Sequence, residues 1–243
     1  MSAAGTMVRE GSDAAAPPPS EERPGRRARS AMALAIGALA AGLSLALAAK
    51  QGYRSDFDQL WGAARALLAG ADPYAVVGPG RAVDWPFPLY YPLPAVLLAA
   101  PLALLPLSIA RALFVGGSSA LLAYLVTRDG YGRLPIFLSG PFFMAVTAAQ
   151  WSPLLTAAYL LPALAWVTVA KPNIGAALAV ASPTSRFAVA GALGGAALVG
   201  ASFLVHPAWV TEWLRAFRGA PHFVPPVLHL AGPLLLLALL RWR

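Results

Sequence analysis

From about residue 31 onward, long apolar runs alternate with short polar breaks. Ala31 to Ala49 is a run of 19 residues without a charge. It is long enough to span a bilayer and longer than the apolar region of a secretory signal. Ala46-Leu47-Ala48 imitates a signal cleavage site, but further apolar runs follow, so the run reads as an uncleaved first span. Residues 50–92 then break the pattern. Within them, Phe57, Leu60, Trp61, Ala64, Leu67 and Leu68 recur at spacings of three and four, which predicts one apolar stripe on a helix from Asp56 to Leu68. Ser55 suits its N-cap, and Asp56 and Asp58 suit its positive end. Gly70 stops the helix and Asp72-Pro73 turns the chain. The segment is too short and too charged to span, so it is expected in the interface, with Trp61 at headgroup level.

The later pattern is expected to add further spans. Leu93 to Pro106 is apolar but only 14 residues, and Pro92, Pro94, Pro101 and Pro106 fence it, which suits a re-entrant or interfacial helix. Ile109 to Thr127 reads as a span. Leu134 to Ala149 reads as the next, ending at Gln150-Trp151-Ser152-Pro153. A fourth runs from Leu154 to Ala181, kinked or broken at Pro162 and at Lys171-Pro172-Asn173. Phe187 to Val205 is rich in Gly and Ala and is expected to pack closely. His206 to Phe217, with Trp209 and Trp213, reads as a second interfacial helix, and a last span follows Pro225-Pro226. The expectation is an all-α bundle of about six spans, with both termini cytoplasmic.

Composition agrees with that class. Hydrophobic residues make up 58% of the 243 positions and charged residues 12%. Residues 1–30 carry an Ala-Pro-Ser stretch without apolar periodicity and read as a disordered cytoplasmic tail, leaving 31–243 as the membrane domain. The net charge of +8 comes from arginines placed mostly between apolar runs. Arg23, Arg26, Arg27 and Arg29 precede the first span, and Arg128, Arg133, Arg186 and Arg241 fall at the ends of others. This pattern reports orientation rather than nucleic-acid binding, and it puts loop 50–92 on the outer face of a plasma or inner membrane. The chain has no Cys, which excludes disulfides, thiolate nucleophiles and Cys-based zinc sites.

Charge also marks where chemistry is expected. Of ten acidic residues, Asp56, Asp58, Asp72 and Asp84 fall in the outer loop. A chain this apolar has little use for carboxylates elsewhere. Each candidate also has a plain structural reading. Asp56 and Asp58 suit a helix N-terminus. Arg65 suits a snorkelling side chain, and Arg81 a solvated loop charge. Tyr90, Tyr91, Trp61 and Trp151 suit the membrane belt as well as stacking on a ligand. Lys171 sits in an apolar stretch, where a charge is costly and often functional. His206, His222 and His229 lack metal-ligand spacing and read as structural.

The stretch Asp-Phe-x-x-x-Trp-x-Ala-Ala-Arg-Ala-Leu-Leu-Ala-Gly-x-Asp-Pro-Tyr, from Asp56 to Tyr74, resembles the first outer loop of glycosyltransferase family 87. The likeness continues through Tyr90-Tyr91-Pro92-Leu93-Pro94, Pro101 to Arg111, Gln150-Trp151-Ser152-Pro153-Leu154-Leu155, Lys171-Pro172 and Trp209 to Phe217. Members of that family are usually longer, with more C-terminal spans, and have Gly where this chain has Ala149. The resemblance implies a GT-C-type membrane enzyme that moves a hexose or pentose from a polyprenyl-phosphate sugar to a glycan or glycolipid, with inversion. It implies Asp56 as general base, with Asp58 beside it. Arg65, Arg81, Tyr90, Tyr91, Gln150 and Lys171 become candidates for binding substrate, with Arg54 and Arg215 as further cations for the departing phosphate. No cofactor is required, and a divalent metal is compatible with the paired carboxylates. The competing class is a transporter or a non-catalytic membrane scaffold. A transporter predicts two halves with matching broken helices, and only one broken helix is legible here.

Overall fold

The computed structural model describes residues 24–181 and 184–218. Helix α1 covers Arg26–Ala48, so Arg26 to Ser30 continue the first helix instead of belonging to the tail. After a short turn comes α2, Asp56–Leu68. It presents Phe57, Leu60, Ala63 and Ala64 inward, each nearly inaccessible, and keeps Arg65 outside. A one-turn helix α3, Pro73–Val76, leads to two two-residue strands, β1 (Val77–Gly78) and β2 (Val83–Asp84), which pair parallel. Helix α4, Leu93–Ala103, is too short to span. Helix α5, Leu107–Val126, is followed by a 3-10 turn to Asp129. Among the described residues the fold is all-α apart from that one bridge.

Three helices among the described residues are long and apolar enough to cross a membrane: α1, α5 with its 3-10 extension, and α9, Ser185–Val205. Their outer faces expose Leu34 and Leu39 on α1, Leu113 on α5, and Leu193 and Leu204 on α9. Apolar side chains facing outward on span-length helices fit a bilayer, not water. The other two expected spans are not single helices. Residues 134–147 form a 3-10 segment, Leu134–Leu138, and then α6, Gly140–Thr147. Pro135 and Pro141 each remove a backbone donor, and the Ser139 hydroxyl accepts from Phe142 N–H to start α6 afresh. Residues 152–181 divide into α7 (Ser152–Leu160), a 3-10 segment (Pro162–Ala170) and α8 (Pro172–Ala181). The breaks fall at Pro162 and Pro172, as expected. The segment expected as a second interfacial helix forms the short helix α10, Trp209–Arg218. The expected last span lies outside the described residues.

Helices α1 and α5 pack closely and antiparallel. A Cβ at Gly37 would lie 2.8 Å from the Gly116 carbonyl oxygen, and one at Gly116 would lie 2.9 Å from that of Gly37. Only paired glycines allow two backbones this near. At one end, the Arg29 guanidinium donates to the Tyr124 carbonyl at 2.6 Å and stacks over the Tyr124 ring. The N-terminal end of α1 and the C-terminal end of α5, with Arg128 just beyond it, therefore share one side. The N-terminus of α2 follows the opposite end of α1.

Candidate functional site

The N-terminus of α2 is fastened from two directions. Asp58 reaches back to Ser55, accepting from the Ser55 backbone N–H at 3.1 Å and from its hydroxyl at 2.6 Å. This is the carboxylate half of a capping box. The same Asp58 oxygen accepts from Arg111 of α5 through Nε at 3.0 Å and Nη2 at 2.7 Å. Arg111 is 3% exposed, and the Tyr53 ring lies under it at 4.8 Å. Both carboxylate oxygens of Asp58 are thus engaged by the protein itself.

Asp56, two residues earlier, is placed differently. Its backbone N–H donates to the Ala148 carbonyl at 3.0 Å. That carbonyl ends α6, which closes in a Schellman motif: Gln150 N–H bonds the Ala145 carbonyl at 2.8 Å and Ala149 N–H bonds Val146 at 3.2 Å. The motif needs a left-handed residue, and Ala149 takes that place at φ 48°. It is the one non-glycine residue with positive φ among those described. The turn swings Gln150 toward α2. The Gln150 amide nitrogen donates to Asp56 Oδ2 in a short contact, and its amide oxygen accepts from Lys171 Nζ at 2.9 Å.

The result is a chain from cation to carboxylate, Lys171 to Gln150 to Asp56, built from three separate breaks in helix. Asp56 Oδ1 has no hydrogen-bond partner among the described residues. Tyr91 completes the group. Its ring lies 5.9 Å from Lys171 Nζ. Burial pushes the Tyr91 phenol well above its ordinary range, and the Asp56 charge adds to this. The phenol therefore stays a proton donor. Lys171 sits between the 3-10 segment and α8, outside the three span-length helices. Burial pushes its ammonium below the usual range, and the Asp56 charge opposes that. Trp151 is buried behind Gln150 and meets Phe114 edge-on at 5.2 Å. A carboxylate with one open oxygen, beside a phenol and a cation, can accept a proton while polar and charged groups hold the reacting species.

The other sequence candidates lie apart from this group. Arg65 stacks 5.0 Å over Trp61 and donates to the Ala103 carbonyl at 3.3 Å. Arg81 holds its own loop through the Tyr74 and Val77 carbonyls. Arg54 bonds the Asp84 carbonyl at 2.9 Å. Tyr90 stacks on Phe217 at 5.2 Å, and its carbonyl accepts from Trp213 Nε1 at 2.8 Å. Arg215 is exposed on α10. The paired-carboxylate expectation divides accordingly: Asp56 is open on one oxygen, and Asp58 is spent on Ser55 and Arg111. The sequence reading missed Arg111 as Asp58's partner. A lone arginine near the start of an apolar span was the available signal, since such a charge needs a counter-ion.

No family model, curated protein or solved structure matches this chain.

Proposed function

We propose that this chain is a membrane glycosyltransferase. It takes a hexose or pentose from a polyprenyl-phosphate sugar to an extracytoplasmic glycan or lipid, with inversion. The observation that carries the reading is the Lys171–Gln150–Asp56 chain with its open carboxylate oxygen. Asp56 takes the proton of an acceptor hydroxyl as that oxygen attacks the anomeric carbon. The bond from that carbon to the phosphate oxygen breaks, and its electron pair leaves on the lipid phosphate. Lys171 and Tyr91 supply the cation and the proton donor that a departing phosphate needs. Asp58 acts through α2: with Arg111 it fixes the helix that carries Asp56.

Two further features support a lipid-borne donor. An apolar groove of about 630 Å³ runs between α1 and residues 134–146, from Met32 to Val146. Its Val146 end is two residues from the Ala148 carbonyl that holds Asp56. Such a groove suits a prenyl chain, not a nucleotide. The arginine-bearing ends of α1 and α5 lie together, which by the positive-inside rule makes that end cytoplasmic and the Asp56 end external. Nucleotide sugars are cytoplasmic, whereas lipid-linked sugars reach the outer face.

The test uses purified protein in nanodiscs with polyprenyl-phosphate monosaccharides or nucleotide sugars as sole donor. Transfer from the lipid donor, lost in Asp56→Asn by about 10²–10⁴-fold, is the expected result. Transfer from a nucleotide sugar without lipid carrier overturns the donor assignment, and no transfer from any donor favours the scaffold reading.

A further inference from the structure

A second cluster of chemistry-bearing side chains lies apart from the Asp56 group. Asp72 ends the loop after α2, His206 ends α9, and Glu212 sits in the first turn of α10. One ligand atom from each lies within 4.8 Å of the other two. His206 Nε2 is 3.7 Å from Asp72 Oδ1 and in short contact with Glu212 Oε2. All three side chains are about one-fifth to one-third exposed, so the site is recessed yet reachable from solvent.

The counter-ions make this cluster unusual. Among the described residues, Asp58 is paired with Arg111, Asp84 with Arg54, and Asp129 with Arg128 and Arg133. Asp56 is linked through Gln150 to Lys171. Asp72 and Glu212 have no lysine or arginine partner there. They share one imidazole, which brings no charge when neutral. Asp72 Oδ1 is partly used, accepting from Tyr74 N–H at 2.8 Å. Asp72 Oδ2 and Glu212 Oε1 have no hydrogen-bond partner among the described residues.

We propose that Asp72, His206 and Glu212 bind one divalent transition cation, Mn²⁺ or Zn²⁺. One imidazole nitrogen with two carboxylates suits these ions. Mg²⁺ and Ca²⁺ favour oxygen-only sets. Three protein ligands leave positions for water. The ion replaces the missing counter-ion and ties the Asp72 loop to the junction of α9 and α10. That junction aims α10 at the segment preceding α4, where Trp213 bonds the Tyr90 carbonyl and Phe217 stacks on Tyr90. The ion thereby holds α10 beside Tyr91 of the candidate site. Its role is to position, and its binding requires neither sugar donor nor acceptor. Spacing along the chain hid the site, because Asp72 stands far from His206 and Glu212 in sequence.

The test is titration of chelator-treated, detergent-purified full chain with Mn²⁺ alone, read by electron paramagnetic resonance, and with Zn²⁺ alone, read by calorimetry. One saturable ion per chain is expected. His206→Gln and Glu212→Gln should each weaken binding by at least about 10-fold. Bound Mn²⁺ in the unaltered protein should show ¹⁴N coupling from one imidazole, a readout that does not depend on any variant folding. The ion should raise the unfolding temperature of the unaltered chain but not of Asp72→Asn, which keeps an acceptor for Tyr74 N–H. Absence of saturable binding, or equal affinity in folded His206→Gln, overturns the proposal and leaves an imidazole hydrogen-bonded between two carboxylates. Saturable Mn²⁺ binding without nitrogen coupling also overturns it.

Discussion

Arg111 and Asp58 meet at 2.7 Å, joining α5, a helix long enough to span, to the first turn of α2. Their side chains are 3% and 13% exposed. A pair this deep is costly to break on one side, because the remaining charge stays buried without compensation. Arg111→Met should lower stability by about 3–5 kcal/mol, measured by thermal or denaturant unfolding in detergent. The double variant Asp58→Asn, Arg111→Met should recover much of that loss. Equal losses in the single and double variants would show that the arginine stem, not the pair, matters.

Lys171→Met removes the cation at the far end of the Gln150 relay and keeps most of the side-chain volume. A charge-assisted hydrogen bond contributes about 1.5–3 kcal/mol, so turnover of the proposed transfer reaction should fall by roughly 10–100-fold. That is a smaller effect than expected for Asp56→Asn. The comparison is made on single-turnover rates in nanodiscs. A Lys171→Met variant as slow as Asp56→Asn would move the main burden of the proposed reaction to the cation.

Ala149 occupies the left-handed place of a Schellman turn. Ala149→Gly relieves backbone strain but loses one buried methyl, so its stability should stay within about 1 kcal/mol of the parent. Ala149→Val adds a β-branch at positive φ and should cost about 2 kcal/mol or more. The valine variant should also lose the proposed transfer activity through a displaced Gln150. Unfolding midpoints of the two variants decide it, and equal stabilities would mean the turn relaxes freely.

Gly37→Val places side-chain atoms against the Gly116 carbonyl and Ala120, where a Cβ alone already comes within 2.8 Å. The α1–α5 pair must then separate. Loss of about 3 kcal/mol or more, or failure to fold, is expected. Gly42→Val, on the same helix with open space around it, should be tolerated. Yield of monodisperse protein on gel filtration separates the two.

Tyr91 and Tyr74 are both buried phenols pushed well above their ordinary range by burial, with nearby carboxylates adding to the shift. Each holds its proton more tightly folded than unfolded. The unfolded chain therefore deprotonates first as pH rises past about 10, and stability falls above that point. Tyr91→Phe should make the decline shallower. Unfolding midpoints between pH 8 and 11.5 measure it, and an unchanged slope in Tyr91→Phe would assign the decline to other groups.

Much of the fold was legible in local patterns. The first apolar run, the amphipathic stripe of α2, the short α4 and the breaks at Pro162 and Pro172 follow from periodicity, length and missing backbone donors. These are properties of neighbours in sequence, and they need no tertiary partner. Asp56 and Asp58 were likewise marked by their rarity in an apolar chain.

What the pattern alone left undecided was which carboxylate is open and which is spent. Asp56 and Asp58 sit on one helix turn and have the same chemistry. They differ because Arg111 approaches one from α5, while Gln150 approaches the other through the turn at Ala149. The same holds for Asp72, which becomes a candidate ligand only where the end of α9 brings His206 and Glu212 against it. The division between 3-10 and α-helix in 134–147 also escaped the apolar count, because hydropathy does not register the donors lost at Pro135 and Pro141. Local sequence determined where helices begin and break. Long-range approach, which no short window of sequence records, decided the charge partners and therefore the candidate sites.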